Sequence, residues 1–339
     1  GRSRYVSIQL GIGGWQTIDA ATVAAKGYGD CKALTNFTIA ALNYAGIKSY
    51  AALIRAGDDE KIKTDFSVGQ FNHAIACAFA GKDTVWLECT SQTTPPNYLG
   101  DFTNGRPALL ITPEGGKLVT TPDYSPEDNL RARNLKVKLE ANGDGEVLIN
   151  TVYKGIRQDA KRSLIHRGNA DGQRKALIEE LNLTGMEIRS FDFAEKQQPE
   201  VLVNEKINMF VRNCATKSGT RLFVKANLLP TTFILPTETQ RSTPFYPPTA
   251  DYNMTNSDTV TYQIPEGYKL ESSLPAEKVE TAFGTFELLA TVTGNTLVCV
   301  RKLKLKGGTY PATDYAAWLA FLKKIRRVDR SQVVFVGNS

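Results

Sequence analysis

The chain has 339 residues, of which 42% are hydrophobic and 22% are charged, and these proportions are typical of a folded protein with two or three domains. The net charge is +6, but acidic and basic residues are interspersed, and the one dense basic cluster, residues 323–327, lies on a predicted amphipathic helix. That pattern favours a solvated helix face, so nucleic acid is not an expected partner. No apolar run reaches the roughly 18 residues of a membrane span, and none is predicted in this chain.

The cysteine and histidine content argues against a disulfide scaffold and against a metal centre. Five cysteines (31, 77, 89, 214 and 299) are scattered along the chain without a CxxC pair, and the only histidines are His73 and His166. Because zinc sites are built mainly from these two residue types, no metal or other cofactor is expected. The start at Gly1-Arg2-Ser3 is abrupt and carries no signal peptide, which predicts a processed or truncated piece of a longer chain.

The first third of the chain predicts a helix that begins at a cysteine. The elements expected in chain order are a strand or extended entry over residues 5–10, a short helix over 20–25, a helix over 31–45 and a core strand over 49–54. Asp30 is a good N-cap residue, which places Cys31 at the first helical position. The free N–H groups and the positive end of the helix dipole would lower the pKa of a thiol there. Taken alone, such a cysteine is more often a small buried residue.

A hairpin follows, and it carries a histidine and a carboxylate. Residues 71–79 alternate in polarity with His73 on the apolar face, the chain turns at Gly81-Lys82, and residues 84–89 return. If opposite residues have numbers that add to about 163, Glu88 lies on the His73 face, one diagonal away. A slip of one residue would move Glu88 to the other face. Alone, His73 would be interpreted as a buried histidine and Glu88 as a solvated strand residue.

The remainder of the chain predicts an exit from this first region and then a β-rich region. Residues 91–130 are rich in Thr, Pro, Gly and Asp around one apolar run, Ala108–Thr112, and both 113–116 and 122–126 are interpreted as linkers. Beyond them, a hairpin is expected over 134–153, helices over 156–167, 172–181 and 315–326, and a Pro/Thr-rich surface passage over 229–257. Strands are expected over 186–194, 201–211, 221–226, 259–264, 268–270, 278–283, 285–293, 296–305 and 332–336.

Four segments carry a resemblance to a known family: Gly29-Asp30-Cys31-Lys32-Ala33-Leu34, Ala45-Gly46-Ile47-Lys48, Asn72-His73-Ala74-Ile75 and Trp86-Leu87-Glu88-Cys89-Thr90-Ser91. In this order they resemble the transglutaminase-like superfamily of papain-fold cysteine enzymes. The family has an aspartate where this chain has Glu88, whose extra methylene changes the reach of the carboxylate. The similarity is closest to a bacterial, Bacteroides-type branch with flanking β-rich domains of unknown function.

The resemblance implies the fold, the domains and the site. It implies an α+β fold, with a papain/transglutaminase-like core at 1–125, in which the Cys helix packs on an antiparallel sheet. A β-rich, sandwich-like region follows at 126–339, with a subdivision near 230–257. The implied catalytic residues are Cys31, His73 and Glu88. Trp15 and Gln16 are oxyanion-hole candidates by analogy, and Tyr28 and Trp86 are candidates for the cleft or for core packing. The implied location is periplasmic or extracytoplasmic.

Two functions remain open at this stage. In the first, Cys31 and His73 form a thiol-dependent peptidase, amidase or acyltransferase that acts on a protein or peptide through a thioacyl intermediate. In the second, the site is inactive and the β-rich region binds a polysaccharide or an envelope protein, with an aromatic surface made of Phe245, Tyr246, Pro247, Pro248 and Tyr252. The competing interpretation of that aromatic cluster is packing within a loop.

Overall fold

A computed structural model describes residues 3–8, 11–57, 62–66, 68–196, 201–230, 233–247 and 253–337. The chain divides into two compact units, Gly1–Tyr124 and Ser125–Ser339. Both units mix helices with β-sheet, so the predicted α+β class is confirmed.

The first unit is built around one helix and one antiparallel sheet. Its elements are β1 (Arg4–Tyr5), α1 (Ala20–Lys26), β2 (Tyr28–Gly29), α2 (Cys31–Tyr44), β3 (Ser49–Ile54), β4 (His73–Ala80), β5 (Asp83–Leu87), α3 (Gly100–Thr103), β6 (Pro107–Thr112) and β7 (Gly115–Thr120). Strands β3 to β7 form a five-stranded sheet in the order β5-β4-β3-β6-β7, with every pair antiparallel. Helix α2 packs on this sheet, since the Thr35 hydroxyl donates to the Ala74 carbonyl of β4.

The register of the β4–β5 hairpin decides where the predicted site residues lie. Ala76 pairs with Leu87, Cys77 with Trp86 and Ala80 with Asp83, so the numbers of opposite residues add to 163 as predicted. Glu88 follows the last paired residue of β5, on the same side as His73 at the start of β4. Both residues therefore lie at the same end of the hairpin, and the alternation of side chains along each strand places them on the same face.

The interpretation of residues 113–116 as a linker is wrong. Gly115 begins strand β7, and Thr112 pairs directly with Gly115 across a tight turn. Gly115 has φ +122°, a region that glycine adopts readily and other residues do not. The Pro-Glu-Gly-Gly sequence therefore marks a hairpin turn rather than a domain exit.

The second unit contains an eight-stranded and a four-stranded sheet with three α-helices. Its elements are β8 (Leu130–Leu139), β9 (Gly145–Lys154), α4 (Asp159–Arg167), α5 (Ala170–Leu181), β10 (Met186–Lys196), β11 (Leu202–Val211), β12 (Thr216–Ser218), β13 (Arg221–Lys225), β14 (Met254–Gln263), β15 (Tyr268–Ser272), β16 (Glu277–Thr281), β17 (Gly284–Thr293), β18 (Thr296–Leu305), α6 (Tyr315–Asp329) and β19 (Gln332–Gly337). The sheets have the orders β10-β11-β9-β8-β14-β18-β17-β16 and β12-β13-β19-β15. One hydrophobic core contains residues of both sheets and of α6.

Three features of this unit bear on the expectations from the sequence. Strands β8 and β14 pair in parallel, so the region is antiparallel with one exception. Residues 254–257, expected in the surface passage, begin β14 because Met254 packs in the core. The Phe245 ring is buried against Tyr310 and Trp318, so it packs in the loop and does not belong to an exposed aromatic surface. Tyr246 is exposed and Pro247 is buried, and Pro248 and Tyr252 lie outside the described residues.

The inner face of the large sheet also holds a buried ion-pair network. Arg301 of β18 donates from Nε and Nη2 to both carboxylate oxygens of Asp329 at the end of α6, at 2.6 and 2.8 Å. Its Nη1 lies 3.6 Å from Asp258, which Arg133 also contacts at 3.0 Å. Within the described ranges, no helix has the length and apolar character needed to cross a membrane.

Candidate functional site

The structure brings the side chains of His73 and Glu88 together at the end of the hairpin. The His73 Nε2 lies 3.0 Å from each Glu88 carboxylate oxygen. Their side chains are only 8% and 9% exposed, so solvent screens the pair weakly. The Thr90 hydroxyl donates to the same carboxylate at 2.7 Å. Glutamate therefore reaches the ring here despite its extra methylene, and its carboxylate is held on both sides.

The Cys31 thiol interacts with the same imidazole. Interaction with Cys31 raises the pKa of His73, and interaction with His73 and with the backbone of Ala74 lowers the pKa of the thiol. Because Nε2 is engaged with Glu88, Nδ1 is the ring nitrogen that remains available to the thiol. Cys31 is the first residue of α2, where the backbone N–H groups have no partner within the helix. A thiol, an imidazole and a carboxylate thus form one line of interactions, from Cys31 through His73 to Glu88.

The charges of this line favour a thiolate and an imidazolium. Burial raises the pKa of the Cys31 thiol, but the hydrogen bond and the charge of His73 outweigh it, and the net pKa is lowered. Burial lowers the pKa of His73, but the hydrogen bonds and charges of Cys31 and Glu88 raise it to about 9. Burial also raises the pKa of Glu88, yet the bonds from His73 and Thr90 bring it below its usual value. The lowered pKa of the thiol and the raised pKa of the imidazole both favour the thiolate–imidazolium pair over two neutral groups.

Local sequence explains why the thiol sits at a helix start. The Asp30 carboxylate caps α2 by accepting the Ala33 N–H at 2.9 Å, and it also accepts from the Lys32 ammonium. Gly29 is buried immediately before the cap, and a β-carbon there would lie 2.8 Å from the Ala33 Cβ. Only glycine fits this approach without displacing α2. The predicted cap and helix start are confirmed.

The four less central candidates occupy different settings. Trp15 follows a short 3-10 helix and is 87% exposed, and Gln16 is also exposed. In the described part of the chain, no hydrogen bond or ring contact joins either side chain to Cys31 or His73. Tyr28 is half-buried in β2, which pairs with β1 just before the cap. Trp86 is buried in the hydrophobic cluster of the sheet, an environment that favours core packing.

Sequence reasoning missed Phe102, which covers the histidine. Its ring meets that of His73 edge to face, with centroids 5.2 Å apart and an interplanar angle of 65°. Phe102 lies in the short helix α3, inside the stretch of residues 91–130 that is rich in Thr, Pro, Gly and Asp. A four-residue helix has no periodic pattern to reveal it. The one signal in the sequence is a large apolar residue next to Asp101 in an otherwise polar stretch.

A metal centre finds no support among the described side chains, since no group of three or more His, Cys, Asp or Glu residues there is arranged to hold an ion. Cys77 and Cys89, the two other cysteines of this unit, are buried and half-buried. Burial raises the pKa of the Cys77 thiol to about 11 and raises that of Cys89 as well. Cys31 is thus the thiol of this unit with a lowered pKa.

Comparisons with known proteins bear on the fold more than on the site. No curated protein matches the sequence. The family described as "Domain of Unknown Function" (DUF3858) matches residues 220–335, from about the start of β13 into β19. This match covers about a third of the chain, lies within the second unit and does not include Cys31, His73 or Glu88.

One solved structure is similar over nearly the whole chain. It is the crystal structure of a "putative protease" from Parabacteroides distasonis, with 13% sequence identity and a TM-score of 0.51. The similarity covers 99% of this chain and 49% of that chain, so this chain spans about half the length of the structure it matches. At this identity the likeness demonstrates a related fold and leaves the chemistry to the site itself.

Proposed function

We propose that the protein is a thiol-dependent hydrolase of peptide or amide bonds, with Cys31 as nucleophile, His73 as general acid and base, and Glu88 as the carboxylate that orients the imidazole. The observation that carries this proposal is the His73 imidazole within 3.0 Å of both Glu88 oxygens, on a ring whose pKa is also raised by the Cys31 thiol. The description of the structurally similar protein as a "putative protease" agrees with it. So does the resemblance of the surrounding sequence to transglutaminase-like enzymes.

The proposed reaction uses only groups of this line. The Cys31 thiolate attacks the carbonyl carbon, and the N–H of Cys31 at the start of α2 donates to the oxyanion. His73 gives its Nδ1 proton to the leaving amine as the C–N bond breaks, and a thioester remains on Cys31. Neutral His73 then takes a proton from water, whose oxygen attacks the thioester. The C–S bond breaks, the carboxylic acid leaves and the thiolate–imidazolium pair is restored.

Unfolded casein offers a test that does not require the natural substrate. The wild-type protein should release new peptide amino groups and form a thioester on Cys31 that hydroxylamine removes. Cys31→Ala and His73→Ala should both lose this activity by at least about 100-fold, as expected for a nucleophile and its acid–base partner. Cys77→Ala is the matched control, since its thiol is buried within the sheet. Activity that survives in Cys31→Ala would refute the proposal.

The binding function stays a prediction without a specific observation in its favour. A Cys31 sealed from solvent, with His73 turned away from it, would favour this function, whereas Cys31 is half-buried and its thiol interacts with His73. We keep a protein or peptide as the proposed substrate. A polysaccharide or envelope-protein partner for the second unit, and a periplasmic or extracytoplasmic location, remain predictions from the family resemblance.

A further inference from the structure

Phe102 is a large apolar residue that stands half in solvent beside an ionic site. Its ring packs edge to face on His73, yet 47% of the residue remains exposed. The ring therefore contacts the imidazole while about half of the residue stays accessible to a ligand. Exposed phenylalanine costs free energy in water, and burial of its open surface by a ligand recovers that cost.

The backbone around Phe102 holds it in this position. The Gly57 N–H donates to the Phe102 carbonyl at 2.9 Å. The buried guanidinium of Arg106, four residues further on, donates to the carbonyls of Arg55 and Gly57 at 2.7 and 2.6 Å. These bonds tie the loop that follows β3 to the segment around α3. Phe102 is thus carried on a pinned turn, which fixes it relative to His73.

The chemistry of the site determines which part of a substrate meets Phe102. Nδ1 of His73 must reach the amine nitrogen that leaves, because this is the proton donor for the C–N bond that breaks. The substrate residue that carries the leaving amine therefore lies next to Phe102, whose ring packs on the imidazole. We propose, on the basis of the proposed function, that Phe102 determines specificity on the leaving-group side and that the preferred substrate carries an apolar side chain on the residue whose amine leaves.

The charges around the histidine agree with an apolar preference. The titratable groups that act on His73 are Cys31 and Glu88, and both are engaged with the ring. On the thiol side the Lys32 ammonium is paired with the Asp30 carboxylate. Among the residues that the structure describes, the charged groups that act most strongly on the ring are thus engaged with it and do not select an acidic or basic residue. Contact with a phenyl ring favours an apolar over a small or charged side chain by about tenfold.

The test is the sequence of the new N-termini in digests of unfolded casein, because these residues carried the leaving amines. We compare wild type, Phe102→Ala and Phe102→Leu by mass spectrometry. Tyr44→Ala is the control: it removes an aromatic ring that is 96% exposed at the far end of α2, about 20 Å of helix from Cys31. Each protein is scored by the ratio of apolar to charged or glycine N-termini, so a general loss of activity cancels.

Wild type and Tyr44→Ala should give a ratio about tenfold above the amino-acid frequencies of casein. Phe102→Ala should bring it close to those frequencies, and Phe102→Leu should keep at least half of the preference. A ratio in Phe102→Ala equal to that of wild type would overturn the role of Phe102 while cleavage itself still supports the proposed function. Absence of any Cys31-dependent cleavage by wild type would instead refute the proposed function, and this inference with it.

Discussion

Replacement of Glu88 by Gln isolates the charge of the third residue from its shape. Glutamine keeps the length of the side chain and an oxygen that accepts the Nε2–H bond, but it carries no charge. Both side chains are less than 10% exposed and the contact is 3.0 Å, so solvent screens little of the lost attraction. A close opposite charge shifts a pKa by about 1–3 units. The pKa of His73 should therefore fall from about 9 to roughly 6–8.

The change is measurable by NMR because the chain contains only two histidines, His73 and His166. The ring resonances of histidine-labelled protein are followed from about pH 5 to 10, a range that spans the ordinary histidine pKa and the raised one. His166 bonds Glu195 in the second unit, and its titration curve serves as the internal control. The expected fall corresponds to about 1.4–4 kcal/mol of lost imidazolium stabilisation.

Loss of the imidazolium also lowers the thiolate population at neutral pH. Alkylation of Cys31 by iodoacetamide at pH ~6.5 should slow by at least about tenfold in Glu88→Gln, since the ion pair shifts with the His73 pKa. If the His73 titration in Glu88→Gln coincides with that of wild type, the carboxylate does not tune the imidazole. The reasoning about the third residue would then be refuted, even with the two side chains in contact.

Three further predictions address what holds the site and the second unit together. Gly29→Ala places a methyl group 2.8 Å from the Ala33 Cβ of α2. It should lower the free energy of unfolding in urea by about 1–3 kcal/mol and slow the alkylation of Cys31. If both values are unchanged, residue 29 does not approach α2 closely. Arg301→Met leaves the buried Asp329 without its partner and should cost about 3–5 kcal/mol in urea unfolding. Arg221→Met, at an exposed ion pair, is the control and should cost far less; equal losses would refute the network's role. The pKa of His73 is raised from 6.5 to about 9, so its contribution to folding stability is complete below pH ~6.5 and is lost as the pH rises through about 9. The difference in free energy of unfolding between wild type and His73→Ala should therefore shrink by about 3 kcal/mol from about pH 6 to pH 10. A difference that grows over this range would contradict the prediction.

Much of the site could be predicted because its parts lie on strongly patterned elements. The helix start at Cys31 follows from one capping residue, and the hairpin register follows from one short turn with alternating residues on either side. These local rules bring Glu88 to the His73 side of the sheet before any tertiary contact is known. The hydrogen bond between His73 and Glu88 could not be predicted in the same way, because the reach of a glutamate depends on its rotamer.

Sequence patterns failed where short elements or tertiary contacts decide the structure. Strand β7 is exposed and glycine-rich at its start, so it lacks the alternation that marks a half-buried strand. The parallel pairing of β8 with β14 joins strands more than a hundred residues apart, and no local signal specifies such a partner. Phe102 belongs to the same class, since a single-turn helix has no period and its contact with His73 is purely tertiary.

The pH dependence of Cys31 alkylation is the most direct measurement of the central claim, that His73 converts this thiol into a thiolate. Wild-type protein should react with iodoacetamide with an apparent pKa below about 8.5, the value of an ordinary thiol. His73→Ala should restore a value near or above about 8.5, while His166→Ala should leave the wild-type curve unchanged. A wild-type curve centred near about 8.5 that is the same in His73→Ala would contradict the account.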